Sequence, residues 1–264
     1  MNSNSLASWL DRLQGSGRYS FIRREAIDAT DLSPEAVKKS LQRLVKRKRL
    51  AKVRDNFYVI VPTEYLSAGA PPITWFVADL MQSLGQPYYV GLLSAAALHG
   101  ASHHQPQEFQ VVTSAPQRPL RVARQRIRFF TKRQVEATPQ VDVKTPTGPV
   151  RVSSPEATAL DLVRFSKASG YFGNVATVLG ELADRLNPQA LLAVAELQPH
   201  LPTVQRLGYL LELAGVEAAA RPLAALVARR RPRAVPLRAD LPVDDAPKDP
   251  RWRVLVNEKV EAEL

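Results

Sequence analysis

Residues Ser33 to Pro62 constrain the fold more than any other stretch of the chain. They open on Ser-Pro-Glu, in which Ser33 can cap orphan N–H groups, Pro34 suits the first helical position and Glu35 faces the positive end of the helix dipole. Val37, Leu41, Leu44 and Val45 then fall on one narrow stripe at 3.6-residue spacing, so one face of this helix must be buried. The other face carries Glu35, Lys39, Gln42, Arg43 and Lys46, with Lys38 on its flank. A basic run, Lys46-Arg47-Lys48-Arg49, leads into Leu50 to Val53 and Phe57 to Val61, which read as two short strands joined by the polar turn Arg54-Asp55-Asn56. A helix with a cationic outer face followed at once by a basic hairpin is the pattern of a winged helix-turn-helix. Upstream, Leu6, Trp9, Leu10 and Leu13 form one amphipathic stripe and Ile22 to Ala29 a second, shorter one, which supply the remaining helices of the motif.

A run of charge is more often a solvated face than a site. Here the cations are concentrated on one helix, the turn after it and the hairpin, and few nearby carboxylates could neutralise them. The net charge of +11 implies a polyanionic partner whose affinity falls steeply with salt. Charge alone does not choose between DNA, RNA and an anionic membrane; the helix-and-hairpin pattern favours duplex DNA. Lys39, Gln42 and Arg43 are placed to reach major-groove edges, where Gln suits adenine and Arg guanine. Lys38, Lys46, Arg47, Arg49, Lys52 and Arg54 are expected to hold phosphates.

The chain is long enough for two ordinary domains. The first is expected to span 1–62, where the last hairpin strand meets Pro62, which cannot continue a ladder. Residues 63–72, with Gly69, Pro71 and Pro72, read as a semi-rigid linker, and 73–264 as a larger domain. In that domain Ile73 to Leu84 reads as a helix, and Tyr88 to Gly100 is the densest apolar segment. Strands are expected at Phe109 to Val112, Leu120 to Val122, Ile127 to Phe130, Val141 to Lys144 and Val150 to Val152. Ser154-Pro155-Glu156 repeats the helix opening at Ser33, and further helices follow over 175–186, 188–197, 204–214 and 216–229. Arg229-Arg230-Arg231-Pro232-Arg233 and the stretch to Pro250 read as an exposed connection, with Trp252 to Val256 docking as a last strand. The class is α+β: an N-terminal winged helix-turn-helix followed by a small sheet covered by helices.

Catalytic motifs are sparse. The chain has no cysteine, which excludes disulfides and thiolate metal sites. Neither phosphate-binding loops nor a nucleophile elbow occur. His99, His103 and His104 lack a second cluster to complete a metal site, so no metal and no cofactor is expected. Asp142-Val143-Lys144 with Glu108 is a weak match to the carboxylate and lysine pattern of restriction-type nucleases, and a metal-dependent nuclease stands as the catalytic alternative. Asp161, Tyr88 and Tyr89 read as packing residues. No secretory signal and no apolar run of spanning length is present, which points to a cytoplasmic protein with no membrane partner.

Several ordered segments carry a family resemblance: Tyr88 to Gly100, Thr147-Gly148 with Val150 to Ser154, Pro155 to Val163, Arg206 to Glu212, and Trp252 to Asn257. Together they resemble the AbiE-type antitoxins (AbiEi family) of bacterial type IV toxin–antitoxin and abortive-infection systems, over nearly the whole chain. The resemblance implies a non-enzymatic protein with two duties. Its winged helix would repress its own operon by binding inverted repeats in the promoter, and its C-terminal domain would counter a nucleotidyltransferase-like toxin encoded beside it, with or without direct contact. A stand-alone transcriptional regulator without a toxin is the remaining alternative. One departure is that the turn before the hairpin, where related chains tend to have glycine, is Lys46 to Arg49 here.

Overall fold

The computed structural model describes residues 5–101, 106–198 and 201–260. The chain is a mixed α+β protein that divides into two compact units. One comprises Met1–Tyr89, Gln107–Glu136 and Asp142–Arg151; the other comprises Val90–Pro106, Ala137–Val141 and Val152–Leu264.

The first unit begins with helix α1 (Leu6–Gly15), strand β1 (Ser20–Ile22), helices α2 (Arg23–Asp28) and α3 (Pro34–Lys46), and the hairpin β2 (Leu50–Arg54) and β3 (Phe57–Ile60). The hairpin recruits β1 as a third strand, order β1-β3-β2, with both pairings antiparallel. Strand β1 is too short to announce itself in the sequence: its pairing of Phe21 with Tyr58, rather than any local alternation, makes it a strand. The expected α3 opening is realised, with the Ser33 hydroxyl accepting from the N–H of Ala36 at 3.3 Å and Pro34 at the first turn. Val37 and Leu41 are buried in a cluster with Leu6, Trp9, Leu10, Phe21, Ala26, Leu50, Tyr58 and Ile60, and Leu44 and Val45 pack against its edge. Burying each of those α3 side chains contributes about 1.5–3 kcal/mol. Trp9 meets Phe21 edge-on at 5.0 Å and Phe21 stacks on Tyr58 at 5.7 Å, which locks α1 to the sheet.

The connector after β3 is not loose. Ala70 and Pro71 are buried, and Gln125 donates through its side-chain amide to the carbonyls of both. Ile73–Trp75 forms a 3₁₀ turn before helix α4 (Val77–Ser83), where the sequence suggested one continuous helix. Asp79 on α4 accepts from the Ser20 hydroxyl and lies 3.9 Å from Arg18, while Trp75 packs on Tyr19 at 4.9 Å.

The apolar run from Tyr88 resolves into strand β4 (Tyr88–Val90) and helix α5 (Leu92–Leu98). Strands β5 (Phe109–Thr113), β6 (Leu120–Val122), β7 (Gln125–Thr131), β8 (Gln140–Thr145) and β9 (Gly148–Ser153) complete a six-stranded sheet, order β6-β7-β5-β4-β9-β8, whose residues lie mostly in the first unit. Its pairings are mixed: β5 with β7 is parallel, β6 with β7 antiparallel.

The second unit is largely helical: α6 (Pro155–Arg164), α7 (Tyr171–Glu181), α8 (Pro188–Glu196), α9 (Pro202–Leu213) and α10 (Glu217–Arg230). Every residue from Glu156 to Val163 is buried, so α6 sits within this unit. Asp161 is 1% exposed, and Glu156 accepts from the backbone N–H of Asn187 at the start of α8. A small sheet of β10 (Val235–Pro236), β11 (Lys248–Asp249) and β12 (Val254–Leu255), order β10-β12-β11, closes the chain. Trp252 is fully buried and its indole N–H donates to Glu212 at 2.6 Å. Gly208 makes room for that ring: a Cβ there would lie 1.9 Å from it.

Candidate nucleic-acid interface

Helix α3 presents Lys38, Lys39, Gln42, Arg43 and Lys46 to solvent, opposite the buried stripe of Val37 and Leu41. Its amphipathicity leaves no other orientation, because rotating the cations inward would expose the residues that hold α1 and the sheet. Arg43 is steadied by a hydrogen bond from its guanidinium to the Ser40 hydroxyl at 3.0 Å, which pre-orders a long side chain without neutralising it.

The helix ends by a Schellman arrangement. The N–H of Lys48 reaches the carbonyl of Val45 and that of Arg49 the carbonyl of Leu44, both at 3.0 Å. This requires a left-handed residue, and Lys48 adopts it with φ +56° in place of the usual glycine. Arg47, Lys48 and Arg49 are all exposed as a result. Val61 donates to the carbonyl of Arg49 at 3.0 Å, which fixes where the hairpin leaves the helix.

On the hairpin, Lys52 and Arg54 are exposed on β2 and Asn56 takes φ +66° at the turn, a conformation asparagine tolerates. Lys52 forms an ion pair with Asp55 at 2.7 Å, so this cation has a carboxylate partner in the free protein. The hydrogen bond from Lys52 holds the Asp55 carboxyl below the usual carboxylate range, and Asp55 in turn raises Lys52. The other eight residues singled out from the sequence (Lys38, Lys39, Gln42, Arg43, Lys46, Arg47, Arg49 and Arg54) are all exposed.

Between α3 and the hairpin runs an open groove of about 780 Å³. Lys38, Gln42 and Lys46 line one side and Lys52, Asp55 and Asn56 the other, with Arg23 and Tyr58 also lining it. Arg23 and Tyr58 escaped sequence reasoning: Arg23 begins a short helix of weak periodicity, and Tyr58 sits in the wholly buried strand β3, where it reads as a core residue. The arrangement can seat a polyanion.

The residues considered for other chemistry do not converge. Glu108 precedes β5 and is ion-paired with Arg126 and Arg128, whereas Asp142 lies exposed on β8. With β4 and β9 intervening, the two strands are three spacings, roughly 14 Å, apart. His99 donates from Nε2 to the carbonyl of Ser153 at 2.7 Å, a packing bond across its own unit. His103 and His104 lie outside the described residues. Among the described residues no group of three His, Asp or Glu side chains comes together as metal ligands. No described helix is long and apolar enough to cross a membrane.

Comparison with known proteins returns a family and a fold. Residues 89–213 match the family model of the AbiEi antitoxin C-terminal domain. No curated protein matches the sequence. The crystal structure of the RV2827C protein from Mycobacterium tuberculosis resembles this one with a TM-score of 0.67 and 14% sequence identity, over 94% of this chain and 90% of that chain. At that identity the likeness is one of fold.

Proposed function

With residues 89–213 belonging to the AbiEi antitoxin C-terminal domain family as premise, we propose that the protein is the antitoxin of a type IV toxin–antitoxin system and represses its own operon. In this reading residues 1–62 form a winged helix-turn-helix that binds inverted repeats in the promoter, 63–72 join it to the remainder, and 73–264 counter a nucleotidyltransferase-like toxin. The protein acts by binding rather than by catalysis. The single observation that carries the DNA-binding half is the cationic groove between α3 and the β2–β3 hairpin, which the buried stripe of α3 obliges to face solvent. α1, β1, α2, α3, β2 and β3 follow in the order such a module needs. Lys39, Gln42 and Arg43 read bases, and Lys38, Lys46, Arg47, Arg49, Lys52 and Arg54 hold phosphates.

The test is equilibrium binding of the full chain to the duplex upstream of its own gene across a salt series. Arg43→Ala is expected to weaken the cognate site by about 1–3 kcal/mol and to relax base preference. Arg47→Ala is expected to weaken all sequences alike and to reduce the salt slope by about 1. Equal affinity of wild type and Arg43→Ala for the cognate duplex would overturn the assignment of α3.

A further inference from the structure

Asp142-Val143-Lys144, which Glu108 does not approach, lies on β8, the outermost strand of the six-stranded sheet. The strand at the other margin, β6, runs beside β2 of the hairpin. An outermost strand carries a row of backbone donors and acceptors that can template pairing with another chain. Which residues of β8 offer theirs follows from its ladder with β9, to which it is joined through the two-residue loop Pro146-Thr147. The N–H of Ser154 donates to the carbonyl of Pro139 at 2.9 Å. Alternate residues of an antiparallel strand bond to one side and then the other, so Val141, Val143 and Thr145 bond toward β9 as Pro139 does. Asp142 and Lys144 therefore turn their N–H and C=O groups outward.

Their side chains are also open. Asp142 and Lys144 are exposed, two residues apart and so on one face of the strand, and among the described residues neither is engaged in an ion pair. Val141 beside them is 39% exposed. Only one kind of two-fold pairing suits this edge. With Val143 opposite its own copy, the outward groups of Asp142 meet those of Lys144 in the second copy, and the reverse, while Val141 faces Thr145. Centring the pair on Asp142 or on Lys144 would set like charges opposite one another, which destabilises a sheet, and in the latter case would give Asp142 a proline, Pro146, with no N–H to donate.

We propose that β8 is a homodimer interface, in which Asp142-Val143-Lys144 pairs antiparallel with the same run of a second copy of this chain. Each half of the contact is its own complement, as a two-fold interface requires: one backbone exchange and one Asp142–Lys144 pair on either side of Val143. Main-chain bonds supply the attraction and the two charge pairs fix the register. A contact between two strand edges buries little surface, so the dimer is of the weak class that depends on concentration. Its symmetry is that of an inverted repeat, though the pairing itself needs no DNA.

The experiment is sedimentation of the full chain, without DNA, from low to high micromolar concentration. It compares wild type, Asp142→Lys, Lys144→Asp and an equimolar mixture of the two variants, with thermal melts to check that each folds. Wild type is expected to pass from monomer to dimer. Each variant alone is expected to self-associate roughly tenfold more weakly, because two attractive pairs become two repulsive ones. In the mixture one copy brings two lysines and the other two aspartates, so a heterodimer is expected to form at least as readily as the wild-type dimer, a recovery that damaged folds cannot produce. Amide exchange in wild type gives a second measurement, and it decides alone if a variant does not fold. The N–H groups of Asp142 and Lys144 are expected to gain protection as concentration rises, whereas that of Val143, committed to β9, keeps the protection it has. Wild type that stays monomeric throughout would overturn the proposal and leave Asp142 and Lys144 as charges that guard an edge strand against pairing. A dimer that persists undiminished in both variants would overturn it as well, since the contact would then lie elsewhere.

Discussion

Individual side chains of the cationic face differ in how free they are in the unbound protein. Arg43 leans on a neutral hydroxyl, so its full charge is available, whereas Lys52 is held by Asp55 at 2.7 Å. Exposed pairs of this kind are worth little to stability, because both charges are well hydrated when apart. Under the proposed function the pair bears on binding instead. Asp55→Asn is expected to leave the melting temperature within a degree or two, to raise affinity for any duplex, and to steepen the salt slope by about 1. A titration against salt measures both, and an unchanged slope would mean that Lys52 faces no phosphate. The pH dependence follows from the lowered pKa of Asp55, whose first cause is the Lys52 hydrogen bond. The interaction persists as pH falls past the usual carboxylate range and is lost only as pH drops through the depressed value, so binding at neutral pH is insensitive to it.

Among the elements, the end of α3 shows where a local rule is broken. A left-handed residue in a Schellman turn is ordinarily glycine, and Lys48 bears the steric cost of a side chain there. Lys48→Gly is expected to stabilise the fold by a few tenths to about 1 kcal/mol, the relief being partly offset by the freedom glycine gives the unfolded chain. The same change is expected to weaken DNA binding by removing a cation beside Arg47 and Arg49. A urea melt and a binding curve on one variant check both signs. Helix α9 illustrates the opposite case, a glycine that packing demands. Gly208→Ala would drive a methyl into Trp252, and overpacking of this sort costs about 1–3 kcal/mol. The contacts at stake also include Gln205, which donates to the carbonyls of Arg233, Trp252 and Arg253. Limited proteolysis of Gly208→Ala is expected to show faster cleavage after residue 229, and wild-type resistance would mean that the ring finds another seat.

For the molecule as a whole, residues 89–213 match the AbiEi antitoxin C-terminal domain, and the proposed function places two activities under one gene. Co-expression with an adjacent nucleotidyltransferase-like gene is expected to restore growth that the toxin alone arrests. Arg43→Ala is expected to rescue growth as well as wild type does while failing to repress a promoter reporter. Loss of rescue in that variant would tie the two activities together and overturn their division. Much of this architecture was legible beforehand, and the reason is local. The α3 stripe, the Ser-Pro-Glu openings at Ser33 and Ser154, the β2–β3 turn and most later strands are set by residues within a few positions of one another, where periodicity and capping act. The cationic face of α3 was readable for the same reason, since a buried stripe dictates its opposite. What the sequence could not convey depends on pairings between distant segments. Strand β1 exists because Phe21 finds Tyr58, and Glu108 and Asp142 are kept apart by two intervening strands. Arg121 opposes Arg126, beside the hairpin, only because β6 takes the edge of the sheet next to β2. Sequence by itself determined which faces are apolar and which are charged, because that is a matter of spacing along one element; tertiary structure decided which charged faces become neighbours, because register and strand order are settled by burial across the fold.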